Sequence, residues 1–253
     1  MLKVLISGCN GHMGRVVAHV CREAGDVEIA AGFDLLGAEN GEFPVFSTPD
    51  AFRGPADVLI DFSSPAALSA LLNFGISRRV PLVLATTGYS EEQCAAVDAA
   101  AERIPVFRSG NMSFGINVLM ALVTKAAAAL DGFDVEIVER HHNRKVDSPS
   151  GTALMLAQAA TEGLPYSPEY VYERKSVRKP RDKQEIGISS VRGGNIVGDH
   201  EVLFAGRDEI IELRHSAMSR EVFASGALRA ARFLAGAPEP GLYSMKDLVG
   251  QIL

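Results

Sequence analysis

The sequence contains little of the chemistry that marks secreted or membrane proteins. Cysteine is scarce: Cys9, Cys21 and Cys94 form an odd, scattered set without a CxxC pair, which favours a reduced cytoplasmic protein over a disulfide framework. No apolar run approaches the ~20 residues that a membrane-spanning helix needs. The N-terminus enters a strand without a basic segment followed by an apolar one. We therefore expect a soluble cytoplasmic protein that does not bind a membrane.

Positive charge and metal ligands are also in short supply. The net charge of -6 argues against nucleic acid as the main partner. A zinc site needs three or four ligands at suitable spacing, and the adjacent His141 and His142 have no cysteine or third histidine nearby, so we expect no metal. Apolar residues are plentiful, at 47% of 253 residues, which is ample for a core and fits two domains better than one.

The first part of the chain alternates strand and helix patterns. Short apolar runs typical of buried parallel strands occur at 3–7, 27–33, 58–62, 82–85 and 106–107. Helical patterns separate them, as in proteins that place helices on both faces of a parallel sheet. The sequence therefore predicts an α/β fold, with a Rossmann-type doubly wound parallel sheet over residues 1–112.

A glycine-rich turn follows the first strand. Its glycines at 8, 11 and 14 spell G-x-x-G-x-x-G, and Asn10 stands where the dinucleotide-binding G-x-G-x-x-G has its middle glycine. Small residues still let the backbone approach a pyrophosphate at the helix N-terminus. Asp34 ends the second strand 20 residues after Gly14, the position of the acidic residue that binds the adenosine ribose. These features predict a dinucleotide site, although many glycine turns are purely steric.

Later strands also end in small polar residues. The strand at 82–85 leads into Thr86-Thr87-Gly88, and the strand at 106–107 leads into residues 109–112. Ligands of doubly wound sheets lie beyond the carboxyl ends of the strands, so we expect these turns to face one crevice.

The pattern changes at residue 113. A long alanine-rich helix at 116–130 precedes a strand at 135–139, and three strand-like segments follow at 186–192, 200–205 and 209–215. They predict a mixed open sheet in an inserted α+β domain. We expect the helix at 221–234 to return to the first domain. The predicted domains are thus residues 1–112 with 221–253 for the dinucleotide, and residues 113–220 for the substrate.

Between these strands lies a cluster with chemistry of its own. The strand at 135–139, with Glu136 and Glu139 at its polar positions, leads into a run that holds His141, His142 and Lys145. Ser150-Gly151-Thr152 then precedes a helix predicted at 153–163, and a helix start of this kind binds anions. Taken singly, each feature is more often structural. Together they suit the binding of a carboxylate and the transfer of a proton.

The same stretch carries a family resemblance. From Glu136 to Ala153 the pattern E-x-x-E-x-H-x-x-x-K-x-D-x-P-S-G-T-A resembles the signature of the dihydrodipicolinate reductases. The G-x-x-G-x-M-G turn, the Thr-Thr-Gly turn, RGGNIVGDHEVLF and HSAMSREVFASGALRAARFL extend the resemblance along essentially the whole chain. It implies a nicotinamide-dependent reduction of a cyclic unsaturated dicarboxylate in diaminopimelate and lysine biosynthesis, by a homotetramer built from the sheets of the second domain.

The resemblance also implies residue roles. His141 matches the general acid/base and Lys145 the proton donor, while His142, Gly151 and Thr152 match residues that bind the substrate carboxylates. Ser150 joins the substrate set because it belongs to the same helix start. Matches to cofactor contacts are Gly8, Cys9, Asn10, Gly11, His12, Met13, Asp34, Ala85, Thr86, Thr87, Ser109, Gly110, Asn111 and Met112. Ala85 and Ser109-Gly110 depart from the family's usual Gly and Ala-Ala, but both changes keep small residues.

The adenosine end favours NADH, with NADPH as the alternative. Asp34 would repel a 2′-phosphate, and relatives that use NADPH place an arginine after the acidic residue and another in the glycine turn. Here Leu35 and Leu36 follow, and the turn carries His12.

Two rival functions stay open from the residues alone: another two-domain Rossmann dehydrogenase of amino-acid metabolism, and a non-catalytic dinucleotide sensor.

Overall fold

The chain divides into two compact units in a computed structural model that describes residues 1–37, 42–236 and 239–251. The first unit comprises Met1–Phe114 and Arg220–Leu253, and the second comprises Gly115–Ser219. The part that each unit plays in binding remains a prediction. Within the described ranges, no helix is both long enough and apolar enough to cross a bilayer.

The helices and strands occur in the following order along the chain. They are β1 (Leu2–Ser7), α1 (His12–Glu23), β2 (Val27–Phe33), β3 (Val45–Phe46), β4 (Val58–Asp61), α2 (Leu68–Arg78), β5 (Leu82–Leu84), α3 (Glu91–Ala101), β6 (Pro105–Arg108), α4 (Phe114–Ala129), β7 (Asp134–His141), α5 (Gly151–Gly163), β8 (Glu169–Val171), β9 (Glu185–Arg192), β10 (Gly198–Ala205), β11 (Ile210–Ala217), α6 (Glu221–Gly236), β12 (Gly241–Tyr243) and α7 (Met245–Gly250). Two short 3-10 turns lie at Pro49–Ala51 and Pro65–Ala67.

The first unit is built on a seven-stranded sheet in the order β12-β6-β5-β4-β1-β2-β3. All its described strand pairs are parallel, and the order reverses at β1, so the predicted Rossmann-type sheet is confirmed. The sequence did not indicate the edge strands β3 and β12, because two or three residues are too few for a period-2 pattern.

Alternate residues of each central strand pack on opposite faces of this sheet. On β1, Val4 and Ile6 belong to the core that includes Val17 of α1 and Leu228 of α6. Leu5 belongs to the other core, with side chains from α2 and α3. Burial on both faces explains the nearly continuous apolar runs, and it fixes the carboxyl ends of the strands along one edge.

The second unit contains a five-stranded sheet in the order β11-β10-β7-β9-β8. Strand β7 is antiparallel to β10 and parallel to β9, so the sheet is mixed, as predicted. Its inward side chains, among them Val135 and Ile137, pack in one core with Leu119 of α4 and Leu156 of α5. Helices α4 and α5 therefore cover one face of the sheet.

The course of β7 differs from the prediction in two ways. The strand extends to His141, which the sequence had placed in the polar run after it. Burial alternates from Val135, so Glu139 lies on the buried face and not at a polar position. Side chains of a strand alternate with a period of two, and the register that buries Val135 and Ile137 also buries Glu139 and His141.

Candidate functional site

The glycine turn after β1 is closed too tightly for larger residues. Gly8 has a φ of 75°, and a Cβ there would lie 2.6 Å from the carbonyl oxygen of Phe62. A Cβ on Gly14 would lie 2.1 Å from the carbonyl oxygen of Gly8, so α1 packs against its own turn. Gly11 occupies the N-cap of α1 and has no side chain with which to cover the first N–H groups. This helix start suits a pyrophosphate.

Asp34 ties the end of β2 to that turn. Its Oδ2 accepts a hydrogen bond from the backbone N–H of Asn10 at 3.1 Å, and its Oδ1 accepts one from the N–H of Leu36 at 3.3 Å. A carboxylate offers about four lone-pair positions, so two remain for the hydroxyls of a ribose. Leu35 and Leu36 are 89% and 85% exposed beside it.

Cys9 lies on the turn, but its side chain points into the core. The residue is 1% exposed, and its sulfur fills the space where a Cβ on Gly32 would be. Burial, followed by the nearby Asp34 carboxylate, raises the pKa of the Cys9 thiol to about 11. The side chain of Cys9 is therefore a packing residue, its backbone belongs to the turn, and its predicted cofactor contact stays a prediction.

The other predicted cofactor residues follow neighbouring strands of the same sheet. Ala85, Thr86 and Thr87 follow β5, and Ser109 begins the turn after β6. In that turn the Ser109 hydroxyl accepts from the N–H of Asn111 at 3.2 Å and donates to its carbonyl oxygen at 2.8 Å. Exposure then varies: His12, Thr87 and Gly110 are exposed, Met13 is half-buried, and Asn111 and Met112 are buried.

These turns fit a dinucleotide. The residues predicted from the sequence follow β1, β2, β5 and β6, and parallel strands end on one edge of the sheet. The crowding at Gly8 and Gly14 and the open start of α1 form a cradle that a side chain would fill. Asp61 ends β4 on the same edge, fully buried, and accepts from Ser63 and from the hydroxyl of Tyr89. Sequence analysis assigns Asp61 no role, because it stands in an apolar strand.

In the second unit, His141 is held by a buried carboxylate. Its Nδ1 lies 2.6 Å from Oε2 of Glu139, which is 0% exposed. Arg192, at the end of β9, donates to both carboxylate oxygens of Glu139, at 2.8 and 2.7 Å. Burial raises the pKa of Glu139, but hydrogen bonds, first from Arg192 and then from His141, outweigh it and lower the pKa to about 2. Glu139 is thus an anion at neutral pH.

Ser150 is committed to the protein's own interior. It caps α5, where its hydroxyl accepts from the N–H of Ala153 at 3.2 Å and lies 3.0 Å from Nε2 of His200. Its backbone N–H donates to Oε1 of Glu139 at 3.1 Å, and the residue is 2% exposed. Ser150 is therefore the N-cap of α5, with its hydroxyl and its N–H both bonded within the protein, and its contact with substrate stays a prediction.

Gly151 and Thr152 form the first turn of α5 beyond that cap. Gly151 is exposed, and a Cβ there would meet nothing within 4 Å. Thr152 is half-buried, one residue inside the helix that Ser150 caps. The helix start thus presents open backbone to solution at Gly151, as an anion site requires.

Lys145 and His142 lie in the segment between β7 and α5. The Lys145 ammonium is 2.8 Å from Oδ1 of Asp147, and this contact lowers the pKa of that exposed carboxyl. The N–H of Lys145 donates to the carbonyl oxygen of His142 at 3.1 Å, so a turn links the two side chains. The structure thus brings His141, His142 and Lys145 into one short segment, next to the start of α5.

His200 is a functional candidate that sequence reasoning missed. It is buried on β10, and its ring packs edge-on against that of His141, with centroids 5.1 Å apart. Burial, and then repulsion from His141, lower the pKa of His200 to about 4, so it is neutral at pH 7. In the sequence, His200 is only one residue of the RGGNIVGDHEVLF segment, and no local pattern pairs it with His141.

Two arginines anchor the charged loop at 172–185, whose residues are mostly exposed. Arg181 donates to Glu136 and Asp134 at 2.9 Å each, and Arg174 donates to Glu136 and Glu185 at 2.7 Å each. These cations bind the loop to the outer side of β7 and to β9.

Among the residues that the structure describes, no cluster of three or more histidine, cysteine or acidic side chains could hold a metal.

Comparison with known families covers both units. Residues 2–112 match the family model described as dihydrodipicolinate reductase, N-terminus, and residues 115–249 match dihydrodipicolinate reductase, C-terminus.

Individual relatives agree with the family models. A 4-hydroxy-tetrahydrodipicolinate reductase of Caldanaerobacter subterraneus is 52% identical, over 98% of each chain. One from Clostridium tetani is 47% identical, over 97% of this chain and 96% of its own. Among solved structures, a dipicolinate-bound dihydrodipicolinate reductase from Paenisporosarcina sp. TG-14 covers 100% of both chains with a TM-score of 0.83 at 27% identity.

Proposed function

Because the chain belongs to the dihydrodipicolinate reductase family, we propose that it reduces 4-hydroxy-tetrahydrodipicolinate, or the dehydrated dihydrodipicolinate, to tetrahydrodipicolinate in diaminopimelate and lysine biosynthesis. The observation that carries the proposal is the match over both units, together with one short segment that holds His141, His142, Lys145 and the open start of α5. A rival Rossmann dehydrogenase would account for the first unit but not for this segment.

The second unit supplies groups for a dianionic substrate and for a proton. The backbone of Gly151 and Thr152 at the start of α5, with His142, would bind a carboxylate. A bound reduced nicotinamide would supply the hydride for ring carbon C4 of the substrate. The neighbouring carbon then needs a proton, which Lys145 would donate, while His141 serves as general acid/base.

The dicarboxylate also offers the first experiment. Pyridine-2,6-dicarboxylate is planar and carries both carboxylates, and we expect it to inhibit competitively against the substrate.

Turnover is the direct test. When the purified protein is mixed with reduced nicotinamide and 4-hydroxy-tetrahydrodipicolinate, the absorbance of the reduced nicotinamide should fall. Binding of the cofactor without turnover would instead support a dinucleotide sensor.

The finer proposal on the cofactor is a preference for NADH. Asp34 already carries the negative charge that a 2′-phosphate would meet. The sequence contains no lysine or arginine between Asp34 and Arg53, so it lacks the cation that follows the acidic residue in NADPH-using relatives. Exposed Leu35 and Leu36 offer apolar surface in place of the guanidinium that a phosphate needs.

We further propose that the chain assembles as a homotetramer through the sheet of the second unit. The face of that sheet opposite α4 and α5 bears Val191, which is half-exposed, together with Leu203 and Ser189. Paired charges, Arg140 with Glu201 at 2.9 Å and Arg214 with Asp199 at 3.1 Å, flank these residues on the same face. A face with paired charges and exposed apolar groups suits contact with another protein surface.

A further inference from the structure

Glu139 contacts three parts of the candidate site. Its carboxylate lies 2.6 Å from Nδ1 of His141 and accepts the N–H of Ser150 at 3.1 Å. Arg192, which binds both oxygens of this carboxylate, also donates to the carbonyl oxygen of Asp147 at 2.8 Å. One ion pair therefore joins the imidazole, the start of α5 and the loop that carries Lys145.

The charge of Glu139 determines which nitrogen of His141 carries the proton. An ionised carboxylate can only accept hydrogen bonds, so at 2.6 Å the proton lies on Nδ1 of the imidazole. The neutral ring then presents the lone pair of Nε2, and the cationic ring presents an Nε2 proton.

Two residues of β10, Gly198 and His200, lie next to the ring of His141. A Cβ on Gly198 would lie 3.0 Å from Nε2, which is closer than a side chain normally packs. Glycine at this position of β10 thus avoids a close contact with the nitrogen. His200 contacts the same ring edge-on and leaves its Nδ1 contact with Glu139 in place.

We propose that Glu139, held by Arg192, is a positioning residue that fixes His141 in the tautomer whose Nε2 takes up and returns a proton as general acid/base, while Lys145 donates the proton to the ring carbon. The inference rests on the proposed function for its catalytic part. Glu139 acts through His141, by orienting the ring and fixing which nitrogen carries the proton.

The kinetic test compares Glu139→Gln with two matched variants. Glu139→Gln keeps the shape but removes the charge, so kcat should fall on the order of 100-fold. The pH profile of kcat should also move to lower pH, because the protonated imidazole loses its anionic partner. Glu139→Asp keeps the charge and should restore the position of the profile. Glu136→Gln removes an ion-paired carboxylate from the other face of the same strand, and it should leave the profile in place.

A second measurement needs no turnover. Ring-nitrogen NMR of the whole protein, labelled at its six histidines, reports the tautomer of each, and His141→Asn assigns the signal. We expect neutral His141 to carry its proton on Nδ1 in the wild-type protein.

The outcomes separate the inference from the proposed function. A proton on Nε2 of wild-type His141, or an unshifted pH profile in a folded Glu139→Gln variant, would overturn the inference. A wild-type protein with no turnover would overturn the proposed function, and the NMR result would still decide the tautomer.

Discussion

His141 and Lys145 are the side chains whose loss should affect catalysis most. Alanine at either position removes a positioned proton-transfer group, and we expect kcat to fall by ~10²–10⁴-fold with cofactor affinity almost unchanged. Steady-state kinetics and a cofactor titration measure the two effects. His19→Ala, on the exposed face of α1, is the matched control and should keep full kcat. Wild-type kcat in His141→Ala or Lys145→Ala would remove that residue from the mechanism.

Gly151 distinguishes an anion site from an ordinary helix cap. Since nothing lies within 4 Å of a Cβ there, Gly151→Val should fold normally. The new side chain would nevertheless stand in front of the backbone, so we expect KM for the dicarboxylate to rise ~10-fold or more, the loss of one charged hydrogen bond. Gly236→Val, at the equally open end of α6, should leave KM unchanged. An unaltered KM in Gly151→Val would support the cap.

Leu35 tests the cofactor preference. We expect wild-type kcat/KM to be higher with NADH than with NADPH. Leu35→Arg adds a cation next to Asp34, and it should move the ratio about tenfold toward NADPH, the worth of roughly one charge-assisted hydrogen bond. Leu35→Gln controls for the loss of apolar surface and should move it little. A wild-type preference for NADPH would mean that a distant cation reaches the phosphate.

At the scale of elements, β7 shows what the sequence could and could not predict. Its strand character and the reactive residues that follow it were evident from VEIVERHH. The inward direction of Glu139 was missed, because a carboxylate next to Val138 looks like a solvent-facing position. Its partner Arg192 lies 53 residues later, and no local pattern pairs residues across two strands. His200 was missed for the same reason, because it lies 50 residues after Ser150. The parallel sheet was predictable because each strand carries its own apolar signal.

The buried groups on β7 and β10 predict how stability depends on pH. The pKa of His200 falls from 6.5 to about 4, so the unfolded chain binds more protons between those values, and stability drops as pH falls through that range. The pKa of Glu139 falls from 4.5 to about 2, so its contribution is present above pH 4.5 and is lost as pH falls toward 2.

Urea midpoints measured from pH 7 to pH 2 test these two windows. His200→Gln should flatten the curve mainly between pH 6.5 and 4, and Glu139→Gln mainly between pH 4.5 and 2. His19→Gln, at an exposed site, should leave the curve unaltered. If His200→Gln keeps the wild-type slope in the upper window, His200 is not buried in its neutral form.

At the scale of the whole molecule, assembly depends on the open face of the second sheet. We expect a mass four times the chain's 27.0 kDa in light scattering. Leu203→Lys places a charge among the exposed residues of that face and should yield smaller species, because an unpaired charge is costly to bury. Leu242→Lys, on the half-exposed edge strand β12, is the control and should keep the assembly. A monomeric wild-type protein would remove this proposal.

Transfer of the hydride tests the central claim most directly. The protein is supplied with 4-hydroxy-tetrahydrodipicolinate and NADH that carries deuterium at the transferred position, and the product is analysed by mass spectrometry and NMR. The account predicts tetrahydrodipicolinate with one deuterium at ring carbon C4, and ~10²–10⁴-fold less of this product with the His141→Ala protein over the same time. Unlabelled product, or oxidation of NADH without any reduced dicarboxylate, would contradict it.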